Sequence, residues 1–240
     1  MKIIVRLHIF CVLFSMILPP ASCALPDEQG KVFHVILESS RTYMDYTRKN
    51  VGEYWITKEK MNRTRGNTVM IVREDLKLRW TINLSAKTYF EIPFERSKKE
   101  HERKGLYTFG IDYEPLFEWE ECKSDTQTIN GFHCHLVKLN GEADFATTRI
   151  TLWISDDQTS THAGKLNDII LNSLSNRDEM TKVVEVLKRF SHPLLVKLDE
   201  VCENAIARTM SVTLTVTEAG MITQPPGIFD LPDDLTKSIN

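Results

Sequence analysis

Apolar and polar residues alternate without a slip through LKLRWTINL (76–84). Leu76, Leu78, Trp80, Ile82 and Leu84 point one way, and Lys77, Arg79, Thr81 and Asn83 the other. After Ser85-Ala86-Lys87, a second run puts Phe90, Ile92 and Phe94 on one face. Period-two alternation around a short polar break predicts two antiparallel strands sharing one apolar face. Upstream, residues 31–61 read as the first strands, with Tyr54-Trp55-Ile56 inside one and Met61 closing the next. TRGN (64–67) signals a turn, and the β-branched TVMIVRE (68–74) a further strand of the same meander.

A second β-block follows. FHCHLVKL (132–139) and ATTRITLWI (146–154) flank Asn140-Gly141, a dipeptide suited to the positive φ angles of a tight hairpin turn. Leu166, Ile169, Ile170 and Leu174 then keep helical spacing, as do Met180, Val183, Val184 and Leu187. These stripes predict helices over 164–175 and 179–204, the second broken or kinked at Pro193, with Leu195, Leu198 and Cys202 continuing its apolar side. Residues 206–218 read as a long strand with Met210, Val212, Leu214 and Val216 on one face.

The first residues change the setting. Lys2 and Arg6 precede an apolar run from Ile9 to Leu18, and small residues follow at Ala21-Ser22-Cys23-Ala24. This predicts a secretory signal peptide over residues 1–24, with lipidation of Cys23 as the competing reading. Residues 25–240 are then expected to form a single domain. Of 30 basic residues, Lys2 and Arg6 leave with the leader, so 28 face 33 acidic ones and the net charge is −5. That balance argues against a nucleic-acid partner, which needs a clustered basic face. The mixed charges of ERSKKEHERKG (95–105) predict a solvated loop or short helix.

Three cysteines follow the leader: Cys122, Cys134 and Cys202. In an oxidising compartment the spacing favours a Cys122–Cys134 bridge, against the alternative of three buried thiols. His133 and His135 could share a metal from one strand face, but a zinc site needs a third ligand and no such spacing exists, so exposed strand histidines are expected and no metal or cofactor. No nucleophile motif of the Gly-x-Ser-x-Gly kind occurs, and Glu118, Glu120 and Glu121 read as a solvated strand or turn. The residues therefore point away from an enzyme. Asn62-Arg63-Thr64 and Asn83-Leu84-Ser85 are glycosylation sequons, relevant only in a eukaryotic secretory route.

Together, INLSAKTYFEIPF, INGFHCHLVKL, ITLWISDD and the closing FDLPDDL give an order of elements that resembles the secreted domains related to outer-membrane lipoprotein-sorting carriers, the LolA/LolB-like family. The resemblance spans most of residues 50–235, on short motifs of structural character. It implies an α+β fold: an unclosed, highly curved antiparallel β-barrel covered by helices, with an apolar cavity between sheet and helices. It also implies a periplasmic or envelope protein binding lipid or lipoprotein acyl chains. The carriers use a particular arginine to control release, and neither Arg63, Arg73 nor Arg79 sits in a motif that assigns it that role. Candidate lining residues are Leu78, Trp80, Ile82, Phe90, Ile92, Trp153, Met210, Val212 and Leu214. The alternative is an envelope scaffold with a filled interior and a protein partner.

Overall fold

The computed structural model describes residues 30–94, 116–156, 162–172, 174, 177–204 and 209–238. The leader and the charge run at 95–105 lie outside them. Twelve strands form one open sheet: β1 (Lys31–Tyr43), β2 (Tyr46–Ile56), β3 (Lys60–Arg65), β4 (Thr68–Arg73), β5 (Leu78–Asn83), β6 (Thr88–Pro93), β7 (Glu118–Ile129), β8 (Phe132–Ala143), β9 (Ala146–Ser155), β10 (Leu194–Asn204), β11 (Thr209–Thr223) and β12 (Thr236–Lys237). Their order is β12-β6-β5-β4-β3-β2-β1-β11-β10-β9-β8-β7, so β12 and β7 are edges and the sheet is not closed. Every neighbouring pair is antiparallel except β12 on β6.

Helices α1 (Ala163–Leu171) and α2 (Arg177–Leu187) cover one face of the central strands. They bury Ala163, Leu166, Ile170 and Leu171, and Val183, Val186 and Leu187, against Phe33, Val35 and Leu37 of β1, Ile150 and Leu152 of β9, Leu198 of β10 and Val212, Leu214 and Val216 of β11. Each fully buried aliphatic side chain contributes about 1.5–3 kcal/mol, so this layer holds most of the apolar stabilisation. The Asn167 carboxamide ties α1 to β10: its Nδ2 donates to the Pro193 carbonyl at 2.8 Å, and its Oδ1 accepts from the Leu195 N–H at 2.9 Å.

Two sequence expectations are corrected here. Residues 194–204 are a strand, β10, where the second helix was expected to continue past Pro193. A bulge between Leu195 and Lys197 inserts one residue, which turns a strand's spacing of two into the three-residue step from Leu195 to Leu198. That step looks helical in sequence. Likewise, Asn140-Gly141 is not the hairpin turn. β8 runs straight through it, and the chain reverses between Ala143 and Ala146. Gly141 serves close packing instead: a Cβ there would lie 2.9 Å from Thr148 Cγ2 and 3.0 Å from Trp119 Cζ3. The tight turn belongs to the other Asn-Gly pair, Asn130 (φ 48°) and Gly131 (φ 85°), between β7 and β8.

A second, smaller core lies on the opposite face of β4 and β5. Ile71, Trp80 and Ile82 are buried there, with Leu78 and Tyr89 beside them and Leu231 and Leu235 of the C-terminal arm packed on top. The arm is fastened by polar contacts along its length. Asn62 Nδ2 donates to the Ile228 carbonyl at 2.6 Å, Arg73 Nη1 reaches Asp230 at 3.3 Å, and Lys87 reaches Asp234 at 3.0 Å. Lys237 donates to Glu91 Oε1 at 2.8 Å, while Trp80 Nε1 donates to Glu91 Oε2 at 3.0 Å. Asn62, the first sequon residue, is thus buried under the arm.

Hydrogen bonds from Lys237 and then Trp80 hold the Glu91 carboxyl below the ordinary glutamate range. Because the folded pKa is depressed, the stabilisation is present in full above the unfolded value and is lost as pH falls through the folded one. Protection of the Thr236 and Ser238 amides, which bond to the Lys87 and Tyr89 carbonyls, should therefore fall, relative to the rest of the sheet, on acidification below the ordinary glutamate range. Unchanged protection of β12 there would remove Glu91 from the latch.

Candidate functional site

Directly opposed residues of adjacent strands share a face of the sheet, so the register decides which candidates meet. Trp80 stands opposite Glu91 and Ile82 opposite Tyr89, whereas Phe90 stands opposite Thr81 and Ile92 opposite Arg79. The two apolar runs of the 76–94 hairpin therefore face opposite ways. They do not share the one face that their alternation suggested. Leu76 and Leu84, at the ends of the first run, lie in turns and are exposed.

The nine candidate lining residues fall into separate places. Leu78, Trp80 and Ile82 belong to the small core beneath the C-terminal arm. Val212 and Leu214 are sealed in the main core, and Met210, half-buried, stands opposite Cys202. Trp153 is also buried; its Nε1 donates to Gln127 Oε1 at 3.0 Å and the Lys197 ammonium sits 4.2 Å over its ring. Phe90 and Ile92, like Met210, are half-buried and outside both cores.

Those two have neighbours that the sequence reading passed over. Following the register from β6 inward, the face bearing Phe90 and Ile92 carries Thr81 and Arg79 on β5, Met70 and Val72 on β4, then Arg63 and Met61 on β3. Across β2 it becomes Tyr54 and Ile56, and across β1 it becomes Val35 and Phe33, which is the helix-covered face. Met70 and Val72 on β4 and Phe90 and Ile92 on β6 thus give a half-exposed, mainly apolar strip, crossed by Thr81 and Arg79 of β5, that continues the inner face beyond the helices. The signal was present in VMIV (69–72), an unbroken apolar run that marks a strand needing cover on both faces.

At one end of this strip the sheet has a step. β3 pairs with β2 only as far as Glu53, so among the described residues the half of β2 from Tyr46 to Gly52 has β1 on one side and no strand on the other. Arg48, Lys49, Asn50 and Val51 of this half, with Arg63 and Arg65 of β3 and the Gly66–Thr68 turn, line a recess of about 610 Å³. Arg48, Arg63 and Arg65 share the inner face, and Arg41 stands directly opposite Arg48 on it. Burial, followed by the charges of Arg48 and Arg63, pushes the Arg65 pKa down. Tyr54 is pushed up by burial, opposed by the charges of Arg63 and Arg65 beside it.

The remaining chemical candidates stay apart. The Cys122–Cys134 bridge favoured by the sequence is not formed, and none of the three cysteines is in a disulfide. Cys122 stands opposite Lys138 and Cys134 opposite Gln127. Four residues of strand, roughly 13 Å, separate Cys134 from the partner of Cys122. The rings of His133 and His135 are 6.4 Å apart, and no group of three or more metal-ligating side chains occurs among the described residues. Burial, then Glu179, Glu200 and Glu203, pushes the Cys202 thiol up to about 12. A thiol held protonated is a poor nucleophile. Alkylation at pH 8 should therefore label exposed Cys122 quickly and leave buried Cys134 and half-buried Cys202, its thiol held protonated, unmodified until the chain unfolds. Equal labelling of Cys202 in the native protein would contradict this account of its surroundings.

No family model matches the chain, and no curated protein matches it. Among solved structures, it is similar to a LolA superfamily protein of Nitrosomonas europaea (9% identity, 85% of this chain and 89% of that one, TM-score 0.26). It is also similar to a putative outer membrane lipoprotein-sorting protein domain of Vibrio parahaemolyticus (9% identity, 84% and 89%, TM-score 0.30). A similarity to PNGF-II (9% identity, TM-score 0.34) covers 87% of this chain, which spans about a third of that protein's length, 31%.

Proposed function

We propose that this chain is a non-enzymatic binding protein for an amphiphile, a lipid or the acyl chains of a lipoprotein, acting after export in an envelope compartment. The observation that carries the reading is the strip of Met70, Val72, Phe90 and Ile92, apolar, half-exposed and part of neither core. Methionine is flexible and polarisable, suited to acyl chains that arrive in varied conformations. Each methylene buried there would contribute about 0.8 kcal/mol. The site would be an open trough on the concave face, and Leu78, Trp80, Ile82, Trp153, Val212 and Leu214 would support the sheet without touching ligand.

Uptake of a fluorescent fatty acid tests this directly. Phe90→Asp should abolish the enhancement seen with the unaltered chain, and Leu84→Asp, an exposed turn substitution, should leave it intact. Equal uptake by all three proteins would place the lipid elsewhere and reject the trough, and no uptake by any of them would favour the scaffold reading, in which the strip meets a protein partner.

A further inference from the structure

We propose that the recess beside the free half of β2 is a binding site for a phosphate group, held by Arg48, Arg63 and Arg65. The chain as a whole is acidic, with a formal net charge of −3, so a local crowd of cations runs against its overall sign. Among the described residues these three arginines have no carboxylate partner, whereas Arg73, Arg149 and Arg189 each have one. Arg48, Arg63 and Arg65 line one recess on one face, and like charges so gathered favour an anion between them.

The site is also built, in the sense that its central arginine is positioned. Gly52 lies under the Tyr54 ring: a Cβ there would come within 2.9 Å of Tyr54 Cε2 and 3.2 Å of the phenol oxygen. The absence of a side chain lets the buried ring lie along the sheet, directly opposite Arg63 on the neighbouring strand. Arg63 in turn stands opposite Met70, the first residue of the apolar strip. A phosphate fits this donor set better than a carboxylate does. Three forked guanidiniums offer more N–H groups than two carboxylate oxygens can accept, whereas a phosphate monoester brings three acceptor oxygens and a charge near −2.

The phosphate could be carried by a lipid headgroup, its tails on the strip, or by a small soluble compound. The first source rests on the amphiphile reading above; the second does not. Calorimetric titration of the intact chain with three probes separates them: dioctanoyl phosphatidic acid, dioctanoylglycerol and glycerol phosphate. The expected result is phosphatidic acid binding about tenfold or more tighter than dioctanoylglycerol, the increment of one charge-assisted contact. Arg48→Gln, and Arg63→Gln with Arg65→Gln, should each remove that preference, leave dioctanoylglycerol binding as it was and flatten the salt dependence. Arg48 is exposed, so its variant folds and keeps the test decisive.

Equal binding of the two lipids, or a preference the glutamine variants do not touch, overturns the phosphate site while leaving the trough standing. Binding of glycerol phosphate alone, lost in the variants, upholds the site with a soluble ligand and rejects the amphiphile. Failure of all three probes rejects both.

Discussion

Ending the chain at Thr223 will cost about 4 kcal/mol of stability or more and will shift tryptophan emission to the red. The arm that is lost contributes Phe229, only 2% exposed, with Leu231 and Leu235 over Ile71, Trp80 and Ile82. Removing one buried phenylalanine side chain alone costs about 3–5 kcal/mol. Losing the arm also uncovers Trp80 and strips Glu91 of Lys237. It further leaves β6 as an open edge, a template for pairing between chains, so the truncated protein should associate at concentrations where the intact one does not. Denaturant titration followed by fluorescence and light scattering reads all three effects. A truncated chain as stable as the full one, with unmoved emission, would mean that the arm does not hold this core.

Leu214→Asp will leave no folded protein, while Phe90→Asp will fold and fail to take up lipid. Leu214 is 3% exposed between the sheet and its helices, opposite Leu198 on the neighbouring strand. Its replacement removes an aliphatic side chain, costing about 2–5 kcal/mol, and strands a charge with no partner, about as much again. The sum reaches the roughly 5–15 kcal/mol that holds a whole domain together. Phe90 lies half-exposed outside both cores, and changes at such positions cost on the order of 1 kcal/mol. Circular dichroism and fatty-acid uptake on both variants separate wall from foundation. If Leu214→Asp folds with full helix and sheet content, the main core is not where the account puts it.

Much of the sheet is legible in the chain because one face of each strand is buried, and burial enforces period two. The 76–94 hairpin, the long β11 and the turn at Gly66 follow directly from alternation and turn chemistry. Three kinds of feature resist that reading. A bulge breaks the period and makes β10 imitate a helix. A glycine placed for close packing, Gly141, is indistinguishable in sequence from one placed for a turn. Above all, alternation within a strand says nothing about which face a neighbouring strand presents; that depends on register. Trp80 and Phe90 were therefore put on one surface when they lie on two. The arm explains why this is tolerated: a hairpin apolar on both faces needs cover on both, and half of that cover comes from residues more than 130 positions further along the chain.

The arginine recess was hidden for a related reason. Arg48, Arg63 and Arg65 are unremarkable as a string, and only the early end of the β2–β3 ladder opens a space between them. The half-exposed strip is likewise a product of pairing, assembled from β4 and β6 with β5 between.

The central claim is that this trough holds an amphiphile, and native mass spectrometry of the chain recovered from a bacterial periplasm tests it most directly. The account predicts a fraction carrying an additional acyl-containing mass, released into organic solvent and absent from Phe90→Asp. A bare polypeptide mass, with no uptake of added lipid, would contradict it.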